Sequence, residues 1–232
     1  MVKTGKKGLL FRIVRLFTQL LFLLIMLSLL EVYAIRFINP PVTIPVITIR
    51  IHNIFSSRDL VIPKGEWRSM KDISPNLVRA VMAGEDQRFI SHSGFDYQEL
   101  NKTVKDIVKR KRVRGASTIT MQMARSVFLW KGMNIVRKLL EAYYTVLIEA
   151  VMPKVRIMEL YLNSVDWGTG VIGAEAASRK YFHKSASELT AEEAALMAAI
   201  LPNPHRWSPV RPSSYVLARQ RSILKSMNKM HL

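Results

Sequence analysis

Two adjacent acids, Glu85 and Asp86, close an apolar stretch, Leu77–Met82, and are followed by Phe89, His92 and the turn-forming pair Ser93-Gly94. A carboxyl group at the end of an apolar helix loses its water, and desolvation raises its pKa toward the range of a general base. Acids at a helix end also serve as solvated or capping groups, so this stretch alone admits both readings. A second stretch runs Arg114-Gly115-Ala-Ser117-Thr118-Ile-Thr120-Met-Gln122-Met-Ala-Arg125. Glycine followed by hydroxyls suits a helix N-terminus, whose free N–H groups hold phosphate oxygens, or else a plain N-cap. The run Lys109–Arg112 just before it adds positive charge. Third, Arg137, Lys138 and Glu141 recur at helical spacing, the arrangement of an ion pair on one helix face. On an exposed face such a pair is worth only about 0.3–0.5 kcal/mol. Fourth, Glu159-Leu-Tyr161-Leu-Asn163 precedes Asp166-Trp-Gly168, which reads equally well as a helix stopped by turn chemistry.

These groups need elements to hold them. The 232 residues carry a net charge of +18 and no cysteine, which excludes a disulfide scaffold, a thiolate zinc site and thiol catalysis. Five scattered histidines without an H-E-x-x-H pattern argue against a histidine-built metal centre. Residues 1–15 hold Lys3, Lys6, Lys7, Arg12 and Arg15, and the run Leu16–Ile35 contains Glu31 alone among charged residues. Its helical length of about 30 Å spans a hydrocarbon core, and the flanking bases put the N-terminus in the cytoplasm. A cleaved signal peptide would want a small-residue site, which Glu31–Arg36 does not offer. Residues 37–232 still carry 29 basic and 16 acidic residues. Outside the inner membrane that excess points to anionic lipid or pyrophosphate, with no nucleic-acid partner.

Asn39–Pro45 reads as an extended linker, and Val46–Phe55 alternates enough for a short strand or a membrane-hugging segment. Helices are expected over Asn76–Met82, Asp96–Val108 (with Leu100, Val104, Ile107 and Val108 on one side), Ser117–Leu129, Asn134–Val151, Lys154–Leu162 and Ala191–Leu201. Gly168, Gly170 and Gly173 mark a loop, and Pro202, Pro204, Pro209 and Pro212 end the helical pattern. Val127–Trp130, with Met133 and Ile135, reads either as a buried helix face or as a patch dipping into a membrane.

Together, in this order, the four stretches resemble the glycosyltransferase family that polymerises peptidoglycan. Glu85-Asp86-x-x-Phe89-x-x-His92-x-Gly94 is similar to its first motif, Gly115-Ala-Ser-Thr-Ile-Thr-x-Gln122 to the second and Arg137-Lys138-x-x-Glu141 to the third. Glu159-x-Tyr161-Leu-Asn163 resembles the fourth, and Gly173-Ala-Glu-Ala-Ala177 through Tyr181-Phe182 the fifth. The likeness covers about residues 70–210 and is greatest to the monofunctional biosynthetic transglycosylases. It implies a mostly α, lysozyme-like helical domain with one N-terminal transmembrane helix. The organisation expected is a cytoplasmic tail over 1–15, a membrane anchor over 16–36, a membrane-proximal linker over 37–65 and the glycosyltransferase domain over 66–232. The protein would sit in a bacterial inner membrane with its catalytic domain periplasmic.

The resemblance implies lipid II as acceptor and the growing polyprenyl-pyrophosphate glycan as donor, joined β-1,4 with inversion. Glu85 is then the expected base for the GlcNAc 4-hydroxyl. Glu141 would act on the leaving-group side, through a divalent cation (Mg²⁺ or Mn²⁺) or by orienting Arg137 and Lys138. Those two bases, with Arg125, would neutralise the pyrophosphate, and Asp86, Phe89, His92, Ser117, Thr118, Gln122 and Asn163 complete the expected substrate-binding set. No organic cofactor is expected; partners are lipid II, the glycan strand, membrane lipids and other cell-wall synthases. Met121, Arg125 and Ser126 depart from the family pattern, and the arginine's planar fork differs from a lysine's point charge. Ser222-x-x-Lys225 and Lys3-Thr-Gly5 match penicillin-binding patterns but fall too far apart to form one site. The alternatives are a peptidoglycan-cleaving lytic transglycosylase and a catalytically dead scaffold.

Overall fold

The structure, a computed structural model, describes the chain apart from residues 1–2, 57–59, 63–64, 109–116, 131, 133 and 231–232, and leaves the side chains of 3–8, 107 and 108 undescribed. It divides into two compact units, Met1–Asn39 and Pro40–Leu232. The first is one helix, α1 (Lys3–Ile35), which begins well before the apolar run because no residue between 3 and 16 stops it. Its segment Leu9–Ile35 is 27 residues long with mean hydropathy 2.3, and in length and composition it is sufficient to cross a membrane.

The second unit is almost wholly helical. The strand permitted over 46–55 is not formed; these residues belong to α2 (Ile44–Phe55). Pro45 in the first turn presets a helical φ, and Pro45 and Ile49 are buried in this helix, which packs on α5. Alternation permits a pleat here, and packing on α5 overrides it. After a 3₁₀ turn at Met70–Asp72 come α3 (Pro75–Glu85), α4 (Tyr97–Val108), α5 (Ile119–Phe128), α6 (Ile135–Val151) and α7 (Lys154–Ser164). The glycine loop closes as a small antiparallel hairpin, β1 (Asp166–Gly168) and β2 (Val171–Ile172), with Asp166 opposite Ile172. Gly168 has φ +138°, and a Cβ there would stand 2.6 Å from the Tyr181 hydroxyl oxygen, so a side chain is excluded twice over. Helices α8 (Ala174–Phe182), α9 (Ala191–Ile200) and α10 (Ser214–Met227) complete the unit.

Helix α10 lies beyond the prolines that the sequence pattern takes as the end of helical structure. Pro212 ends one segment, and Ser213 then caps the next by accepting the Val216 N–H. Val216, Ile223 and Met227 are its buried face. Helix α9 is lined with alanines and buried nearly all round, so α3 and α10 both pack closely against it. Helix α5 packs on α6 and α7 and is buried along Ile119–Ala124, which carries Thr120 and Gln122 into the interior. Val127, Phe128 and Leu129 are also buried, with Phe128 stacked on Tyr144, so these three form a core face, whereas Trp130 is half-buried, Ile135 is exposed and Met133 lies outside the described residues. On α4, Leu100 and Val104 remain exposed.

Candidate active site

Helix α3 delivers Glu85 at its last turn, where Gln122 Nε2 donates to Oε2 at 3.1 Å and Arg219 Nη2 to Oε1 at 3.3 Å. Burial pushes the Glu85 carboxyl above the usual carboxylate range; the Gln122 hydrogen bond and the charges of Arg219 and Arg125 offset this only in part. The Gln122 amide is itself oriented, because the Tyr161 hydroxyl donates to its Oε1 at 3.1 Å. Burial, reinforced by the charge of Glu85, holds the Tyr161 phenol far above its ordinary pKa, so it stays a neutral donor.

Asp86 turns the other way. Its Oδ2 accepts the Ile119 N–H at 3.0 Å, at the start of α5, and both its oxygens lie 3.0 Å from His92 Nε2. Thr118 donates to the Gly94 carbonyl at 2.6 Å and accepts the Met121 N–H at 3.2 Å as the N-cap of α5. Gly94 has φ +85°, and a Cβ there would meet Thr145 Cγ2 at 2.6 Å, so the loop after α3 lies flat on α6.

The Arg137–Glu141 pair, read from the sequence as compatible with a surface contact, is buried. Glu141 is 0% exposed and holds Arg137 Nη1 at 2.6 Å on Oε2 and Lys138 Nζ at 2.7 Å on Oε1. Lys138 Nζ also donates to Ser117 Oγ at 3.3 Å. Ser117, just before the N-cap of α5, and Gln122, in its first turns, thus bring the two charged clusters to the same end of that helix. Arg125 is exposed further along α5 and lines an open cleft of about 260 Å³ with Trp130, Asp166 and His205.

The structure therefore gathers Glu85, Gln122, Arg125, Ser117, Arg137, Lys138 and Glu141 around α5. Asp86, His92 and Thr118 are occupied in holding α5 and the loop before it, and Phe89 is buried. Asn163 is engaged elsewhere: its Oδ1 accepts the Arg68 N–H and its Nδ2 donates to the Arg68 carbonyl, both at 2.8 Å. Glu159 accepts the Met70 N–H at 2.8 Å, and buried Glu175 takes Arg68 at 3.1 Å and the Ala186 N–H at 2.8 Å. Burial alone would raise the Glu175 pKa, but the Ala186 N–H and the Arg68 guanidinium outweigh it and hold the carboxyl below the usual range. The fourth and fifth motifs so fasten the strand-like segment 66–70 to α7 and α8. Gly115 and the Lys109–Arg112 run lie outside the described residues. Arg219 is the residue that sequence reasoning missed: nothing in its surroundings on α10 marks it, and it meets Glu85 only through the α3–α9–α10 packing.

Among the described residues, Asp86, His92 and Asp96 alone bring three ligand-type atoms within 4.8 Å of one another. The carboxylates are engaged, since Asp96 binds Arg88 and the Glu99 N–H while Asp86 accepts the Ile119 N–H and faces His92 Nε2; His92 Nδ1 is left without a partner among the described residues. Glu141 likewise has a cationic side chain on each oxygen. None of these carboxylates fits a resident divalent cation.

The family profile described as Transglycosylase matches residues 56–228. The chain is 45% identical to a protein named biosynthetic peptidoglycan transglycosylase from Shewanella oneidensis over 204 residues, 88% of this chain and 86% of that one. It is 48% identical over 189 residues to a protein of the same name from Bdellovibrio bacteriovorus, covering 82% of this chain and 75% of the relative. A third relative of that name, from Bacteroides thetaiotaomicron, is 45% identical over 217 residues, 94% and 87% of the two chains.

Proposed function

Because this chain belongs to the transglycosylase family and is a peptidoglycan glycosyltransferase, we propose that it extends glycan strands from lipid II, with Glu85 as the base. The 4-hydroxyl of the acceptor GlcNAc attacks the anomeric carbon of the donor glycan. As the O4–C1 bond forms, the hydroxyl proton passes to Glu85 and the bond from C1 to the polyprenyl pyrophosphate breaks, inverting C1. An unassisted hydroxyl is a poor nucleophile at neutral pH, and a carboxylate raised by burial is a better proton acceptor. Charge growing on the pyrophosphate is met by Arg137 and Lys138, donors preorganised by Glu141, and by the exposed Arg125. Glu141 keeps the first two in place.

The observation that carries this reading is the difference in dressing of two carboxylates beside the start of α5: one held by an amide and an arginine, the other carrying two organised cations. A membrane anchor formed by Leu9–Ile35, crossed once with the basic end in the cytoplasm, keeps the enzyme beside a substrate that never leaves the bilayer. The test is to incubate purified full-length protein with lipid II and then add muramidase. Long glycan that muramidase degrades is the expected product. Cleavage of pre-made sacculi would make the protein a lytic enzyme, and neither activity would leave a scaffold.

A further inference from the structure

We propose that Lys154, at the start of α7, is a positioning residue for the catalytic end of the site, acting through His92 and Asp86 on the helix that holds Gln122 against Glu85. The inference rests on the polymerase reading above for what is positioned, and on geometry for how.

Lys154 occupies the first residue of a helix, where a cation opposes the positive end of the helix dipole and costs rather than contributes stability. Its ammonium is committed elsewhere. Nζ donates to the His92 carbonyl at 2.6 Å and to Glu149 Oε1 at 2.8 Å, and it lies 4.6 Å from the centroid of the Phe89 ring. From these partners two routes lead to the first turn of α5. One runs from His92 to Asp86, whose Oδ2 receives the Ile119 N–H. The other runs through Glu149, which accepts the Thr120 hydroxyl. Gln122 stands three residues after Ile119 on that helix, with its amide on Glu85. Lys154 thus bolts the loop between Glu85 and Gly94 to α5 from behind.

The surroundings make the bolt stiff. An apolar cavity of about 230 Å³, lined by Met70, Ile73, Val78, Met82, Ile90 and Met158, backs onto Phe89 and Lys154. The ammonium is only partly exposed and its neighbours on that side are apolar, and charge-assisted hydrogen bonds strengthen as local polarity falls. None of the pyrophosphate-facing cations belongs to this network, so its loss should act on turnover rather than on substrate affinity.

Four variants of the full chain, assayed in detergent well below their melting temperatures, decide the matter. Lys154→Met should lower kcat about tenfold and leave KM for lipid II within twofold, while Lys154→Arg, which keeps a cation for the His92 carbonyl, should retain at least half of wild-type kcat. In the double variant Lys154→Met/His92→Ala, the combined loss should be smaller than the product of the two single losses, because with the imidazole gone only the Glu149 route remains for Lys154 to act through; losses that multiply in full would overturn the proposal. A readout independent of turnover is the His92 imidazole signal in ¹⁵N-histidine-labelled protein, which should shift in Lys154→Met and return in Lys154→Arg. An unmoved signal also overturns the inference. A wild-type protein without polymerase activity would instead sink the functional reading, with the imidazole signal still deciding the contact.

Discussion

Glu85 and Glu141 are two carboxylates set against the same helix, and they are dressed in opposite ways. Glu141 lies within α6, has a cationic nitrogen within 2.7 Å of each oxygen and is sealed from solvent. Glu85 lies at the end of α3, where its nearer partner is a neutral amide and its arginine stands at 3.3 Å. A fully compensated carboxylate is a poor proton acceptor but a good anchor for the cations on it. One that is buried and incompletely compensated is held above its normal pKa and ready to take a proton. What separates a base from a scaffold here is the number of donors withheld.

The sharpest way to break this comparison is to replace each acid by its amide. Glu85→Gln should lower polymerisation by about 10²–10⁴-fold, the usual worth of general-base catalysis, without loss of melting temperature. The sign follows from linkage. A raised folded-state pKa favours the protonated group, so ionised Glu85 reduces stability as pH rises through that pKa. The uncharged amide should therefore melt slightly higher than wild type at neutral pH, and a lower melting temperature would refute the electrostatic assignment. Glu141→Gln should show the reverse emphasis. It strands the Arg137 guanidinium in the interior, and breaking a buried pair in this way costs about 3–5 kcal/mol. Melting temperature should fall clearly, with partial loss of turnover and weaker binding of a pyrophosphate ligand. Were Glu141→Gln to melt like wild type and be as inactive as Glu85→Gln, the division of labour would be wrong.

A finer measurement sharpens the comparison. Gln122→Leu removes the donor that most lowers the Glu85 pKa, so the acid limb of the kcat/KM profile should move to higher pH, with activity recovering as pH is raised. Arg219→Met should move the limb in the same direction by less, because its bond to Glu85 is longer. An acid limb that stays in place in both variants would mean that Glu85 is not the group titrating.

The sequence discloses these two acids for a physical reason. Each sits beside residues whose local spacing carries meaning: Glu85 behind an apolar helix, Glu141 at three and four residues from its cations. Helical periodicity also places α3, α5, α6, α7 and α9 within a few residues. Where the deciding contact spans the fold, local pattern fails. Arg219 reaches Glu85 across 134 residues, and α10 hides behind four prolines. The helix at 44–55 depends on burial against α5 rather than on its own β-branched sequence. Burial also turns the Arg137–Glu141 contact from a marginal surface pair into an interior one, which spacing cannot foretell. Resemblance set Asn163 and Thr118 among the substrate-binding residues, whereas the partners visible for their side chains are backbone groups of the chain itself.

The clasp of Asn163 on both backbone groups of Arg68, seconded by Glu159 on Met70 and Glu175 on the Arg68 guanidinium, has a mechanical meaning. In the proposed polymerase, anchored through Leu9–Ile35, tension would arise whenever the anchor and the strand being made drift apart. Whatever part of that tension passes the packing of α2 on α5 travels along residues 65–70 and meets the clasp before it reaches α3. Three side chains from α7 and α8 share the strain there, so a tug on the tether is spent on the back wall of the domain while Glu85 keeps its aim.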